Sequence, residues 1–309
     1  MNGIKLQGLR CFVAVYEESS ISAAARKIHA TQSGVSVQLS ELEKQLGQPL
    51  FERVSTGVKP TKAGGKIYRR AIRILREVSG LDEDIAALSD SLTGSVRVGI
   101  MPTFARSILA PVLTDFSKAN PLVDVMVTEG YSGLLTRMVL AGDLDFAVVP
   151  DGILPDGVSC TLLDTDLELL ASSRPLEGVS GVVDIAEVTS LRLVLPGPAN
   201  ARRARIDQHL KNVSGVAHDI LELDSMMATL DLVRRGQRIA ILPGCLCLAD
   251  LDDPNLTLYP IESPRMTVDY LLIEPAAKTM SAAVQHFAEA LTNEIRRSCE
   301  TCRRHFGYA

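Results

Sequence analysis

Residues 20–46 read SISAAARKIHATQSGVSVQLSELEKQL, two helical segments parted by the short break His29-Ala30-Thr31. Ser20 is placed to cap the first segment, and Ala23, Ala24, Ala25 and Ile28 give it helix propensity with a small apolar face. Thr31 caps the second, in which Val35, Leu39, Leu42 and Leu46 recur at helical spacing on one side. The opposite side carries Gln32, Ser33, Ser36 and Ser40, short hydrogen-bonding residues gathered toward the N-terminal end. A small-residue first helix lets the second pack close, and a polar helix start suits base edges and phosphates in a major groove. That is the logic of a helix-turn-helix. An ordinary αα-hairpin with core alanines and solvated serines has the same local pattern, so the flanking chain must decide.

Charge decides part of it. The 309-residue chain has a formal net charge of −5. Residues 1–76 nevertheless hold 13 Lys+Arg against 5 Asp+Glu, a net of +8, which leaves 19 against 32, a net of −13, for the remainder. A basic module joined to an acidic body is the electrostatic footprint of a nucleic-acid binder with a second function. Before the break, Leu6, Leu9, Phe12, Val13 and Tyr16 mark a first helix that completes a three-helix core. After it, 49–60 reads as a wing with Gly57 at its tip, putting Arg53 and Lys59 near phosphates, where they supply affinity and salt dependence rather than sequence choice. Thr61 then caps a long helix whose Ile67, Ala71, Ile74, Val78, Leu81, Ile85 and Leu88 are spaced 4-3-4-3-4-3, a heptad seam for self-association. Pairing two such chains predicts two-fold related half-sites in the target.

The stretches Ser20-Ile21-Ser22-Ala23-Ala24-Ala25, Thr31-Gln32-Ser33-Gly34-Val35-Ser36, Leu42-Glu43, Gly47, Leu50-Phe51-Glu52-Arg53 and Thr61-Lys62-Ala63-Gly64 resemble the LysR-type transcriptional regulators. The likeness covers the whole chain, most specifically its first 65 residues. The wing Gly57-Val58-Lys59-Pro60-Thr61 and the run 92–99 are similar to the members that control nitrogen assimilation. The resemblance implies a winged helix-turn-helix over 1–61, a linker and dimerisation helix over 62–93, and a two-lobed, periplasmic-binding-protein-like effector domain over 94–309. It further implies a homodimer and homotetramer, a dimer of dimers on bent promoter DNA, with RNA polymerase as a candidate partner. The candidate DNA contacts are Ser22, Thr31, Gln32, Ser33, Gly34, Ser36, Gln38, Arg53 and Lys59.

From Gly94 onward strands at 95–100, 123–128, 145–149, 167–171, 191–195, 220–223, 239–242 and 267–273 alternate with helices at 107–118, 132–141, 201–210, 225–234 and 281–297. This is an α/β pattern with two sheets. The chain is expected to cross to a second lobe near 163–166 and back near 263–267, giving lobe I as 94–164 with 266–309 and lobe II as 165–265. Ligands of open α/β sheets sit at the carboxyl ends of strands, against helix starts. There Thr103, Ser132 and Asn200 present donors that suit an anionic small-molecule effector, or they simply cap helices. By resemblance the positions of Thr103, with neighbouring Phe104, and Ser132 bind effector. Arg106 and Arg202 are either partners for its charge or surface arginines.

No GxGxxG, P-loop, HExxH or GxSxG motif occurs, so no catalytic residue and no cofactor is expected. The expectation is a non-enzyme; an α/β enzyme with an accessory DNA-binding domain, and a regulator whose body is only an oligomerisation scaffold, are the rivals. Cys299 and Cys302 with His305 have zinc-like spacing but supply three of about four ligands, so no metal site is expected. Cys245 and Cys247 lie in an apolar run that favours inert packing over redox sensing. Without a signal-peptide pattern or a long apolar span the default location is the cytoplasm.

Overall fold

The computed structural model describes residues 3–54, 57–86, 92–185, 190–198, 200–211, 217–263, 265–276 and 279–308. Contacts divide the chain into two compact units, Met1–Ser89 and Asp90–Ala309.

In the first unit helices α1 (Leu6–Glu18), α2 (Ile21–Lys27) and α3 (Gln32–Leu46) are followed by the hairpin β1 (Phe51–Val54) and β2 (Gly57–Pro60), then by α4 (Lys62–Ala86). The starts of α2, α3 and α4 are each fixed by the residue before them. Ser20 Oγ accepts the Ala23 N–H at 3.3 Å, Thr31 Oγ1 the Gly34 N–H at 3.1 Å, and Thr61 Oγ1 the Gly64 N–H at 3.0 Å. Such caps contribute about 1 kcal/mol apiece. Leu9, Phe12 and Val15 of α1 meet Ala24, Val35, Leu39, Leu42 and Leu50 in one core. The small Ala24, with no exposed surface, is what brings α2 close. The wing is anchored to the α1–α2 corner, since the Val58 N–H donates to the Ser19 carbonyl at 3.2 Å. At Gly57 (φ 138°) a Cβ would lie 2.5 Å from that carbonyl oxygen, so glycine is required there.

The expected seam on α4 needs correction at its start. Ala71 is buried in the three-helix core, and Ile67, Tyr68 and Leu75 pack against it. Tyr68 stacks on Tyr16 with centroids 3.8 Å apart and donates to Glu17 at 3.0 Å. Ile67 and Ala71 thus serve the head itself, because the first turns of α4 are its fourth core helix. Ile74 is 43 % exposed and Val78 partly so. The side chains of Leu81 and Ile85, and all of Leu88, lie outside the described residues.

The second unit begins with β3 (Gly94–Ile100), α5 (Pro102–Ser107), α6 (Leu109–Ala119), β4 (Val123–Glu129), α7 (Ser132–Ala141) and β5 (Phe146–Pro150). Next come β6 (Val158–Ser172), β7 (Val183–Asp184), β8 (Ser190–Leu195), α8 (Ala201–Lys211), β9 (Ala217–Glu222), α9 (Met226–Arg234), β10 (Ile239–Pro243) and α10 (Gly244–Cys247). The chain ends with β11 (Thr257–Glu262), β12 (Thr267–Pro275) and α11 (Ala282–His305). The strands run β4-β3-β5-β12-β6-β10-β8-β9, with β11 on β6 and β7 on β11. Within this order β3, β4 and β5 are parallel, as are β8, β9 and β10.

The sequence pattern predicts two separate sheets, and the structure joins them. β6 pairs antiparallel with β12 over 158–167 and with β10 and β11 over 168–172, so one strand of 15 residues belongs to both lobes. Its first half, rich in Ser, Thr and Asp, lacks the apolar run that marks 167–171 as strand. In the second half side chains alternate faces, as the pleat demands. Leu167, Leu169 and Ala171 join Val194, Leu230 and Leu242 on one face, and Leu170 joins Leu193, Ile206 and Tyr259 on the other. Lobe I is built on Val98, Ile100, Phe146, Val148 and Tyr270, closed by Phe287, Leu291 and Ile295 of α11.

At the crossing Asp166 is fully buried. It accepts the Cys245 N–H at 2.7 Å, the Leu167 N–H at 2.9 Å and the Tyr270 hydroxyl at 3.2 Å. Burial outweighs these donors and pushes its carboxyl up to about 6. Cys299 and Cys302 are also buried, and burial pushes both thiols up, whereas His305 is exposed against Phe306. Among the described residues no group of three His, Cys, Asp or Glu could hold a metal ion.

Candidate DNA-binding face and inter-lobe cleft

Helix α3 buries Val35, Leu39 and Leu42 and packs Leu46 against the same core. Thr31, Gln32, Ser33 and Gly34 are exposed at its start, and Ser36 and Gln38 are partly so. Six of the nine candidate contacts therefore lie within two turns of one helix. Ser22 stands apart: its hydroxyl is partly buried, 3.1 Å from Ser20 Oγ, where it backs the α2 cap. Lys59 is exposed on β2, opposite Glu52 of β1. The side chain of Arg53 lies outside the described residues. The far end of α3 is fixed by Gly47 in the left-handed region (φ 65°) and by Glu43, whose Oε1 accepts the Leu50 and Phe51 N–H groups at 2.7 and 3.2 Å. A rigid helix with exposed polar groups at its start suits insertion into a groove.

In the second unit α7 of lobe I and α8 of lobe II border a cavity of about 510 Å³. Ser132, Gly133, Thr136 and Arg137 line it from α7; Pro198, Asn200, Ala201 and Arg205 line it from the α8 side; 149–155 forms its floor. Ser132 and Asn200, 68 positions apart in sequence, thus meet at one cavity. Asn200 also borders a small void of about 20 Å³ beside Tyr131, Arg202 and Asp224. Arg205 reaches across the cleft with its Nη1 3.4 Å from the Asp151 carboxylate, a long ion pair that falls short of a well-formed hydrogen bond. A half-satisfied guanidinium at a cavity wall is a ready binding group for a carboxylate or phosphate.

Four expected ligand groups are placed otherwise. Phe104 has no exposed surface and packs edge-on against Tyr270 at 4.6 Å, because Pro102 starts α5, a helix absent from the sequence reading, and rolls Phe104 into the core. Thr103 on the same helix is 4 % exposed and lines neither cavity. Arg202 is no surface residue: its Nε and Nη2 hold Glu168 at 2.7 and 2.5 Å, and Nη2 also donates to the Ile241 carbonyl. Arg106 is held by Asp250 and by the Leu246 carbonyl at 3.1 Å, with Arg234 on the same Asp250 at 2.6 Å. Thr136, Arg137, Asp151 and Arg205 escape the sequence reading. Thr136 and Arg205 each lie four residues, one turn, after a residue already at a helix start, and that spacing is the available signal.

A profile of the bacterial regulatory helix-turn-helix protein, lysR family, matches residues 6–65, and one of the LysR substrate binding domain matches residues 89–296. The chain is 30 % identical over 296 residues to the nitrogen assimilation regulatory protein nac of Klebsiella aerogenes, covering 95 % of this chain and 96 % of that protein. It is 29 % identical over 289 residues to the nac protein of Escherichia coli (strain K12), covering 93 % and 94 %. In fold it is similar to a full-length OxyR variant from Pseudomonas aeruginosa (TM-score 0.72, 21 % identity, 96 % of each chain covered). It is likewise similar to full-length CbnR complexed with its target DNA (TM-score 0.63, 23 % identity, 95 % and 99 % covered). Among the described residues no helix is long and apolar enough to cross a membrane. Two profiles of one family meet on a single chain, head before body, over nearly the full length of its relatives: this chain belongs to the LysR family of bacterial transcriptional regulators.

Proposed function

We propose that the chain binds promoter DNA as a dimer of dimers and answers to a small anionic metabolite held in the cleft between α7 and α8. One observation carries the ligand reading: Arg205, whose Nη1 has only a long ion pair to Asp151 at 3.4 Å to set against a ligand, and exposed Arg137 face one cavity of about 510 Å³ from opposite lobes. A dianion held by both arginines draws the lobes together and displaces Asp151 from Arg205. The switch then follows from differential affinity, since the ligand favours the lobe arrangement in which both arginines reach it. Pairing of chains is assigned to α4 from Ile74 onward, where an apolar residue stands in solvent.

The test is calorimetric titration of the full-length protein with a panel of mono- and dicarboxylates and phosphorylated metabolites, alongside Arg205→Ala. A saturable heat that R205A weakens by about tenfold or more, the worth of one charge-assisted contact, supports the reading; no binding by any anion sinks it. Light scattering with and without operator reads the assembly, and a monomer on DNA refutes the oligomer.

The scaffold reading has its own observation. Arg202, beside a second void of only about 20 Å³ that shares Asn200 with the cleft, is already neutralised by Glu168. A chain that supplies its own counter-ion there activates promoters with no effector, and transcription in vitro without added metabolites distinguishes the two.

A further inference from the structure

Opposite its buried stripe, α3 shows a second one. Ser33, Val37, Ser40 and Lys44 follow one another at turn spacing, and all four are exposed. Val37 stands in the middle of it, 54 % exposed. Two shallow grooves flank the helix, one beside Gln7 and Thr31, the other beside Ser40 and Lys44, and Val37 lines both. Neighbouring Glu41 is drawn aside by Lys5, at 3.1 Å, so its carboxylate does not compete for the stripe. A β-branched residue here gains little burial and costs about 0.5 kcal/mol of helix propensity relative to alanine. Fold stability gives no reason for it.

The chemistry of the groove gives one. Phosphates offer charge and base edges offer donors and acceptors, neither of which an isopropyl group can meet. The one apolar feature of the major-groove floor is the C5 methyl of thymine. We propose that Val37 is a specificity-determining residue that packs on a thymine methyl in each half-site of the operator. Ser33 and Ser40, one turn to either side, accept or donate to any base, so the choice of thymine between them falls to Val37. The inference rests on the insertion of α3 into the major groove and adds to it which base is read and by which atoms.

The test uses the full-length protein and an operator selected from random duplexes. Each thymine of the half-site is replaced singly by deoxyuridine, which removes the methyl and keeps the base pair. Wild type loses about fourfold in affinity at one position of each half-site, the worth of one buried methyl. Val37→Ser binds the thymine and deoxyuridine operators equally, while its affinity for random DNA at low salt matches wild type. Val37→Thr, which keeps the side-chain shape and one methyl, gives an intermediate ratio and stands in should V37S fold poorly. The proposal is overturned if no replacement weakens wild type, or if V37S and V37T lose as much as wild type. If no preferred sequence emerges from selection, sequence reading by α3 fails first, and the role of Val37 falls with it.

Discussion

The recognition helix and the inter-lobe cleft treat their polar side chains in opposite ways. On α3, Thr31, Gln32 and Ser33 stand in water, and the carboxylates of the same helix, Glu41 and Glu43, are occupied elsewhere in the head. In the cleft the arginines already hold carboxylates of their own chain: Arg202 holds Glu168 fully buried, and Arg205 holds Asp151 with its side chain 41 % exposed. DNA brings so many phosphates that exposed donors suffice, and released counterions drive the binding. An anion entering the cleft would instead have to displace an internal partner, which is worth little at exposed Asp151 and a great deal at buried Glu168. The difference places exchange at Arg205 and permanence at Arg202, three residues along one helix.

The largest effect tests that permanence. Arg202→Ala leaves the Glu168 carboxylate buried and alone, and is expected to destabilise the C-terminal unit by about 3–5 kcal/mol. The double variant R202M/E168L restores most of it, as thermal unfolding monitored by circular dichroism will show. Were R202A as stable as wild type, Arg202 would be as exchangeable as Arg205 and the contrast would vanish.

Next is the buried carboxyl at the lobe crossing. The pKa of Asp166 is pushed in the folded state from its ordinary 3.8 up to about 6, so folding takes up a proton between those values. The contribution is fully present below about pH 4 and is lost as pH rises through about 6, amounting to about 3 kcal/mol. Wild type should therefore gain stability relative to Asp166→Asn as pH falls from about 7.5 to about 5. Parallel pH profiles for the two proteins would refute a titrating Asp166.

On the head the effects are smaller. Gln32→Ala is expected to cost about 1–3 kcal/mol of operator binding and to leave binding to random DNA unchanged. Equal losses on both DNAs in a shift assay would reduce Gln32 to a phosphate contact. Lys59→Ala should lower the slope of log affinity against log salt by about 0.9 with sequence preference kept. An unchanged slope would remove the wing from the interface.

The head can be read from its letters because its determinants are local. Ser20, Thr31 and Thr61 each cap the helix that follows by accepting an N–H three residues on, and the polar residues of α3 gather at its start. The cleft resists for the opposite reason: Ser132 and Asn200 are visible only as helix starts, and Arg137, Asp151 and Arg205 carry no motif at all. Phe104 misleads because a six-residue helix opened by Pro102 leaves almost no periodicity to detect. Ile67 and Ala71 mislead because a heptad spacing does not say whether the partner is another chain or the helix's own domain.

By itself, then, the sequence determined the order of units, their opposite charges and the capped helices of the head, since helix propensity, capping and net charge act over a few residues. Only the tertiary structure decided which arginine is buried against Glu168 and which faces the cavity. It alone carried β6 through both lobes. Those outcomes depend on pairings between residues tens of positions apart, whose closeness no local pattern encodes.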